Sequence, residues 1–372
     1  MQAKFISVLQ VPEHTHSMFP GITKCSDGSL LLHCQSGSGF ESADAVMYQF
    51  RSIDGGKTWQ FEGQIPGYAK LDFSEPFSYC SKPAALADGT LLSAGYGARR
   101  DKPEMTLSDY SREFGRYPEF YNFLLRSSDN GKTWNNFEWI EHEYAGIENS
   151  GPLVQLNDGS LIFTGAPFVL NAPVNRGLVF KSDYSGRNFK EYSCFFEDEN
   201  IIPFETRSVQ FADGTIAIIF WAYDLKNDKN LNNHIVFSGD NGKTWSRAFD
   251  SGLAGQAANL FVYKDRLFAL QARRSGDAPG LFINEIFIGK DKISTGNDIC
   301  LWSANGTKGK TGEINQLFES LKFGQPSVLT DDDTCLLVFW SAVSGSYQIE
   351  IHGFNIDFLN VRANFKSNSK RD

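Results

Sequence analysis

Basic runs, long apolar stretches and paired cysteine motifs are all missing from this 372-residue chain. Lys and Arg total 35 against 44 Asp and Glu, for a net charge of -9. A nucleic-acid partner needs a basic face, and none interrupts that acidic balance. No stretch approaches the roughly 18–20 apolar residues that a membrane-spanning helix requires, so no membrane is expected. The N-terminal apolar run, Phe5 to Leu9, is short and broken by Ser7. A secretory signal needs about 7–15 apolar residues and a small-residue cleavage site, so the cytoplasm is the expected compartment. The six cysteines (Cys25, Cys34, Cys80, Cys194, Cys300, Cys335) lack CxxC spacing, and most sit in apolar runs, as buried free thiols do. No histidine stands in a nucleophile-triad spacing, and no phosphate-binding Gly loop opens a helix. His14 and His16 would share one strand face but have no third ligand nearby. Neither metal nor cofactor is expected.

Aromatics are plentiful instead: 32 Phe, 13 Tyr and 7 Trp, with 21% charged residues. That composition excludes disorder and leaves a β-leaning chain long enough for a large core.

Internal repetition organises it. Asp-Gly, a small residue and an apolar run recur at Asp27-Gly28-Ser29-Leu30, Asp88-Gly89-Thr90-Leu91, Asp158-Gly159-Ser160-Leu161 and Asp213-Gly214-Thr215-Ile216. Degenerate copies follow at Lys264-Asp265-Arg266-Leu267 and Asp332-Asp333-Thr334-Cys335. Asp-Gly between alternating apolar runs marks a hairpin, because the tight turn needs φ > 0. Six hairpins at intervals of roughly 50–70 residues fit a repeating four-stranded unit. A second motif is interleaved: Ser52-Ile53-Asp54-Gly55-Gly56-Lys57-Thr58-Trp59 returns at Ser127 to Trp134 and Ser238 to Trp245, with a decayed copy at Ser182 to Phe189. These boxes are expected to brace turns rather than to carry chemistry.

The Ser-x-Asp-x-Gly-x-Thr-Trp element resembles the Asp box (bacterial neuraminidase repeat) of the sialidase superfamily. The resemblance implies an all-β, six-bladed propeller over residues 1–358, followed by a polar tail, 359–372. It also implies glycan processing, with a carbohydrate partner, an acidic sugar or oligosaccharide among the candidates. Sialidases use an Asp acid in the first blade's loop, a Tyr nucleophile activated by a Glu, and three arginines that clamp the sugar carboxylate.

In such a propeller, the start of each inner strand and the end of the second strand ring one mouth of the channel. Glu205, eight residues before its Asp-Gly turn, resembles the Glu that partners the nucleophile. Glu41 and Asp44 both sit in the loop where the acid belongs. Met18 and Trp221 fall where clamp arginines are expected, and Gln325 falls near the nucleophilic Tyr. Arg207, Arg273, Arg274, Arg99, Gln325 and Trp221 are the candidate substrate-binding residues, and Glu205, Glu41 and Asp44 the candidate catalytic ones. Glu148 is an alternative base or nucleophile. A long polar insertion, Ser93 to Pro118, is expected to wall the pocket. Three functions fit: an exo-acting glycoside hydrolase with a non-standard site, a non-catalytic glycan- or protein-binding propeller, or a polysaccharide lyase using His16 with Lys82 or Arg99. Oligomeric state is not legible.

Overall fold

Turn chemistry divides the chain before packing does. The computed structural model describes residues 3–65, 76–135, 137–169, 172–274, 276–304, 321–331 and 334–356. At each of four Asp-Gly sites the aspartate accepts from the backbone N–H two residues on, as in Ser29 N to Asp27 Oδ1 at 2.9 Å and Thr90 N to Asp88 Oδ1 at 2.8 Å. The glycine amide reaches back three residues, as in Gly28 N to Cys25 O at 3.0 Å. The glycine then turns left-handed, with φ between 83° and 91° at Gly28, Gly89, Gly159 and Gly214. That geometry, a type I turn closed by a left-handed residue, is a standard hairpin solution. The degenerate fifth copy reaches the same end by putting Lys264 and Asp265 at φ 49° and 59°. Asp332-Asp333, the sixth copy, and the tail 359–372 lie outside the described residues.

The Ser-x-Asp repeat closes a different turn. Ser52 Oγ accepts from Gly56 N at 2.8 Å, and Asp54 takes Thr58 N at 2.9 Å and the Thr58 hydroxyl at 2.6 Å. The copies at Ser127 and Ser238 make the same bonds within 0.1 Å. These donors hold Asp129 and Asp240 down to about 2, below the usual carboxylate range.

Between those turns the strands assemble into five sheets, the largest joining the first and last of six antiparallel units through a parallel His16–Tyr347 bridge. The first runs through His16–Lys24, Leu30–Gly37, Val46–Ser52 and Gln60–Gln64. Later units repeat that meander, and the inner strands of neighbouring units pack side by side in a six-bladed, all-β propeller. The last unit borrows its outer strand from the other end of the chain: Lys4–Leu9 pairs antiparallel with Ser346–Asn355. Apolar clusters fill the spaces between units, for instance Phe163, Phe180 and Leu92 between the second and third. Four of the six thiols are buried, whereas Cys194 is exposed and Cys300 partly so; all are free. Among the described residues no helix is long and apolar enough to cross a membrane.

One irregularity repeats. The inner strands of units one, four, five and six each carry a bulge, between Met18 and Gly21, Phe204 and Arg207, Gln256 and Asn259, and Gly324 and Ser327. Each bulge sets one non-glycine residue left-handed: Phe19 (φ 52°), Glu205 (48°), Ala257 (48°) and Gln325 (42°). A bulge re-aims a side chain, and left-handed non-glycine residues are costly enough to cluster at functional sites. Here the bulges turn Glu205 and Gln325 toward each other across the channel.

The insertion in unit two begins later than the sequence suggests. Ser93 to Arg99 remain in the strand Leu91–Arg99, paired on both sides as far as Ala98. Beyond it lies the helix Leu107–Phe114, capped by a reciprocal Thr106–Asp109 pair and ended by left-handed Gly115 (φ 68°).

Candidate active site

Five units contribute to the floor of the channel mouth. Gln325 Nε2 donates to Glu205 Oε1 at 2.8 Å, and Gln325 Oε1 accepts from Lys82 Nζ at 3.3 Å. Lys82 also donates to the Phe19 carbonyl. The chain Lys82–Gln325–Glu205 therefore links units two, six and four, and it fixes which end of the Gln325 amide faces the carboxylate. Glu205 Oε2 is buried without a hydrogen-bond partner. The backbone N–H of Glu205 donates to Glu148 Oε2 at 3.0 Å, which brings a second carboxylate from unit three against the first.

Glu41 supplies the third. Its own φ of 53° turns it out of the first unit's loop, and it lines a narrow cavity with Phe19, Tyr96, Ser78 and the helix residue Leu107. Burial pushes its carboxyl up to about 7; Glu205 and Glu148 push the same way, while Arg100 opposes them. Glu148 is likewise raised by burial and by Glu205. Tyr96, in contact with Phe120, feels burial first and then Glu148, Cys80, Glu41 and Glu205, which hold its phenol well above the ordinary value.

Cations enclose these carboxylates. Arg100, Arg207, Arg274 and Lys82 are all buried. Burial lowers all four, Lys82 to about 8 and Arg100 to about 10. Arg274 is anchored by the Phe323 carbonyl at 2.8 Å and Gln256 at 3.3 Å. Its guanidinium lies so close to Gly324 that a Cβ there would sit 1.9 Å from Nη2. Arg207 donates to the Thr206 carbonyl at 3.1 Å and forms no direct ion pair with Glu205.

The remaining sequence candidates are placed elsewhere. Asp44 braces its loop, accepting from Ser42 Oγ at 2.5 Å and from Ser38 N at 3.1 Å. Arg273 pairs with Asp298 at 2.9 Å and stacks 4.1 Å over Phe282. Trp221 is 1% exposed, packs with Phe204 and Tyr223, and donates to Asn230 at 2.8 Å, so it offers no face to a sugar. Arg99 reaches Tyr121 in a groove beside the insertion rather than the channel floor. Met18 is fully buried in the core. His16 packs at a tilt against Tyr347, and His14 Nε2 lies 2.9 Å from the Tyr48 hydroxyl. No group of three His, Cys, Asp or Glu is placed to hold a metal among the described residues.

The repeated bulge escaped sequence reasoning, and with it the direct Gln325–Glu205 contact. A faint signal exists: Pro20 and Pro326 immediately follow two of the left-handed residues, at points where a ladder bond is lost and a missing N–H is tolerated.

No family model and no curated protein matches the sequence. Solved structures do. A protein of unknown function from Dyadobacter fermentans superposes with a TM-score of 0.72 at 20% identity, covering 95% of this chain and 99% of that one. The K499G mutant of NanB sialidase from Streptococcus pneumoniae gives 0.64 at 14% identity, over 96% and 71% of the two chains. The fold is sialidase-like. A mutant of Trypanosoma rangeli sialidase displaying trans-sialidase activity gives 0.61 at 13% identity, over 98% of this chain and 59% of that one. At such identities the sialidase-like fold positions the site but does not transfer a reaction to it.

Proposed function

We propose that this protein is an exo-acting glycoside hydrolase of the sialidase superfamily, with a site rebuilt around carboxylates. Its Ser-x-Asp-x-Gly-x-Thr-Trp turns are then Asp boxes. The observation that carries the reading is the convergence of Glu41, Glu148 and Glu205, from three units, on one mouth ringed by Lys82, Arg100, Arg207 and Arg274.

Glycoside cleavage needs an acid that is protonated at working pH and a carboxylate that is not. Glu41, pushed to about 7, fits the acid: its proton passes to the glycosidic oxygen as the bond to the anomeric carbon breaks. Glu205 presents one oxygen held by Gln325 and one without a partner, an arrangement suited to attack on the anomeric carbon or to activating water. The buried arginines orient an acidic sugar, since guanidinium forks match carboxylates.

The test is turnover of aryl glycosides by wild type, Glu41→Gln and Glu205→Gln. Loss of the acid should spare substrates with an activated leaving group such as 2,4-dinitrophenol, whereas loss of Glu205 should abolish turnover of every substrate. Equal losses on both substrate types in Glu41→Gln would remove Glu41 from the acid role. One observation favours a second reading, glycan binding without turnover: an amide, Gln325, holds Glu205 where a phenol would be needed for the sialidase reaction. Failure of the wild type on a full panel, with glycan binding intact in Glu205→Gln, would establish that reading instead.

A further inference from the structure

The insertion in unit two does more than wall the channel. Beside its helix runs an open groove that includes Arg99, Arg100 and Arg116, with the rings of Tyr110 and Tyr121. Two acids, Asp101 and Glu119, also line it, so guanidinium groups outnumber carboxylates there. Glu119 is already engaged by the Tyr121 hydroxyl at 3.3 Å. Arg99 donates to that same hydroxyl and lies 4.9 Å over the Tyr121 ring. Arg116 is exposed and makes no ion pair among the described residues. Arg100 is 1% exposed, donates to Ser78 through Nη2, and leaves Nε and Nη1 buried without a hydrogen-bond partner. A buried guanidinium with open donors is expensive unless an acceptor arrives to complete it.

Position gives the groove its meaning. Arg100 lines the groove and donates to Ser78, which lines the same cavity as Glu41. The group that protonates a leaving oxygen must face the leaving sugar, so that sugar departs past Glu41 and over Arg100. We propose that this groove is a leaving-group subsite for an acidic saccharide, one bearing a carboxylate or a sulfate ester, with Arg99, Arg100 and Arg116 as its anion contacts. Tyr110 and Tyr121 supply ring faces for the sugar itself. The subsite's role in leaving-group binding rests on the hydrolase reading above, but its preference for anions does not.

Equilibrium binding tests it directly. Titration calorimetry would compare a sulfated chondroitin tetrasaccharide, its desulfated form, which keeps the uronates, and neutral maltotetraose. At least one acidic probe should bind at least tenfold more tightly than the neutral one. The double variant Arg99→Gln/Arg116→Gln should lose at least tenfold on the acidic probes alone. Lys24→Gln/Arg176→Gln, which removes two exposed cations paired with Asp331 and Glu197, should change nothing and controls for net charge. Retained binding of the desulfated probe assigns the contacts to carboxylate, and its loss assigns them to sulfate. No preference for the acidic probes, or a preference that survives in the double variant, overturns the proposal. An acidic preference that the double variant loses, in a protein with no turnover, would instead sink the hydrolase reading while leaving the groove as a binding site.

Discussion

Glu41→Gln is expected to make the protein more stable at pH 8 relative to wild type than it does at pH 4.5. The carboxyl of Glu41 moves from an ordinary 4.5 to about 7 on folding, chiefly by burial. At about 1.36 kcal/mol per tenfold change in proton affinity, ionising it in the folded state costs at most about 3 kcal/mol. Glu41 keeps partial solvent contact, so about 1–2 kcal/mol is the realistic figure. The sign follows from proton counts. Between pH 4.5 and 7 the folded chain holds this proton and the unfolded chain does not, so wild type loses stability across that window and stays level above it. Gln carries no such penalty, and whatever it changes in packing or toward Arg100 is independent of pH. The assay is urea unfolding of both proteins at pH 4.5, 6, 7 and 8. The stability difference should shift toward the variant by about 1–2 kcal/mol across the series, or a few degrees in Tm. A difference that stays flat from pH 4.5 to 8 would refute the burial of this acid, and with it the reason for giving Glu41 the proton.

The other expectations are simpler. Gln325→Leu, which leaves Glu205 Oε1 and Lys82 Nζ short of a partner, should cost about 1–3 kcal/mol in stability and at least tenfold in kcat, read by unfolding and by steady-state rates. Gly324→Ala should raise KM and cost about 1–3 kcal/mol in stability, because the new methyl displaces the buried Arg274 guanidinium from its Phe323 and Gln256 acceptors. Trp221→Ala should cost about 3–5 kcal/mol by opening a cavity in its cluster, with no sugar-specific change in KM at temperatures where the variant is folded.

The architecture was legible because its punctuation is chemical. Asp27-Gly28 and Ser52 to Trp59 specify turns through their own side chains and a left-handed glycine, and such local information survives in a bare sequence. Glu205, Glu41, Arg207 and Arg274 were reachable by the same route, since strand ends can be counted from a turn. What could not be counted was side-chain direction. Arg273 and Arg274 are neighbours, yet one pairs with Asp298 at the side of its unit and the other lies buried against Gly324. Trp221 was placed at the right strand end but packs inward on Phe204, and Asp44 spends its oxygens on Ser38 and Ser42. The bulges at Glu205 and Gln325 shift strand register by an amount no hydrophobic pattern records, because they fall where side chains meet the channel rather than the core.

The strand Lys4–Leu9 has a consequence for how the molecule is made. Among the described residues its ladder partner is Ser346–Asn355, which leaves the ribosome roughly 340 residues later. At about 5–20 residues per second that is a wait of roughly 20–70 s, during which five units can fold while Lys4–Leu9 lacks this partner. Ring closure therefore waits for the sixth unit, and a strand made before the first unit is the one that seals it.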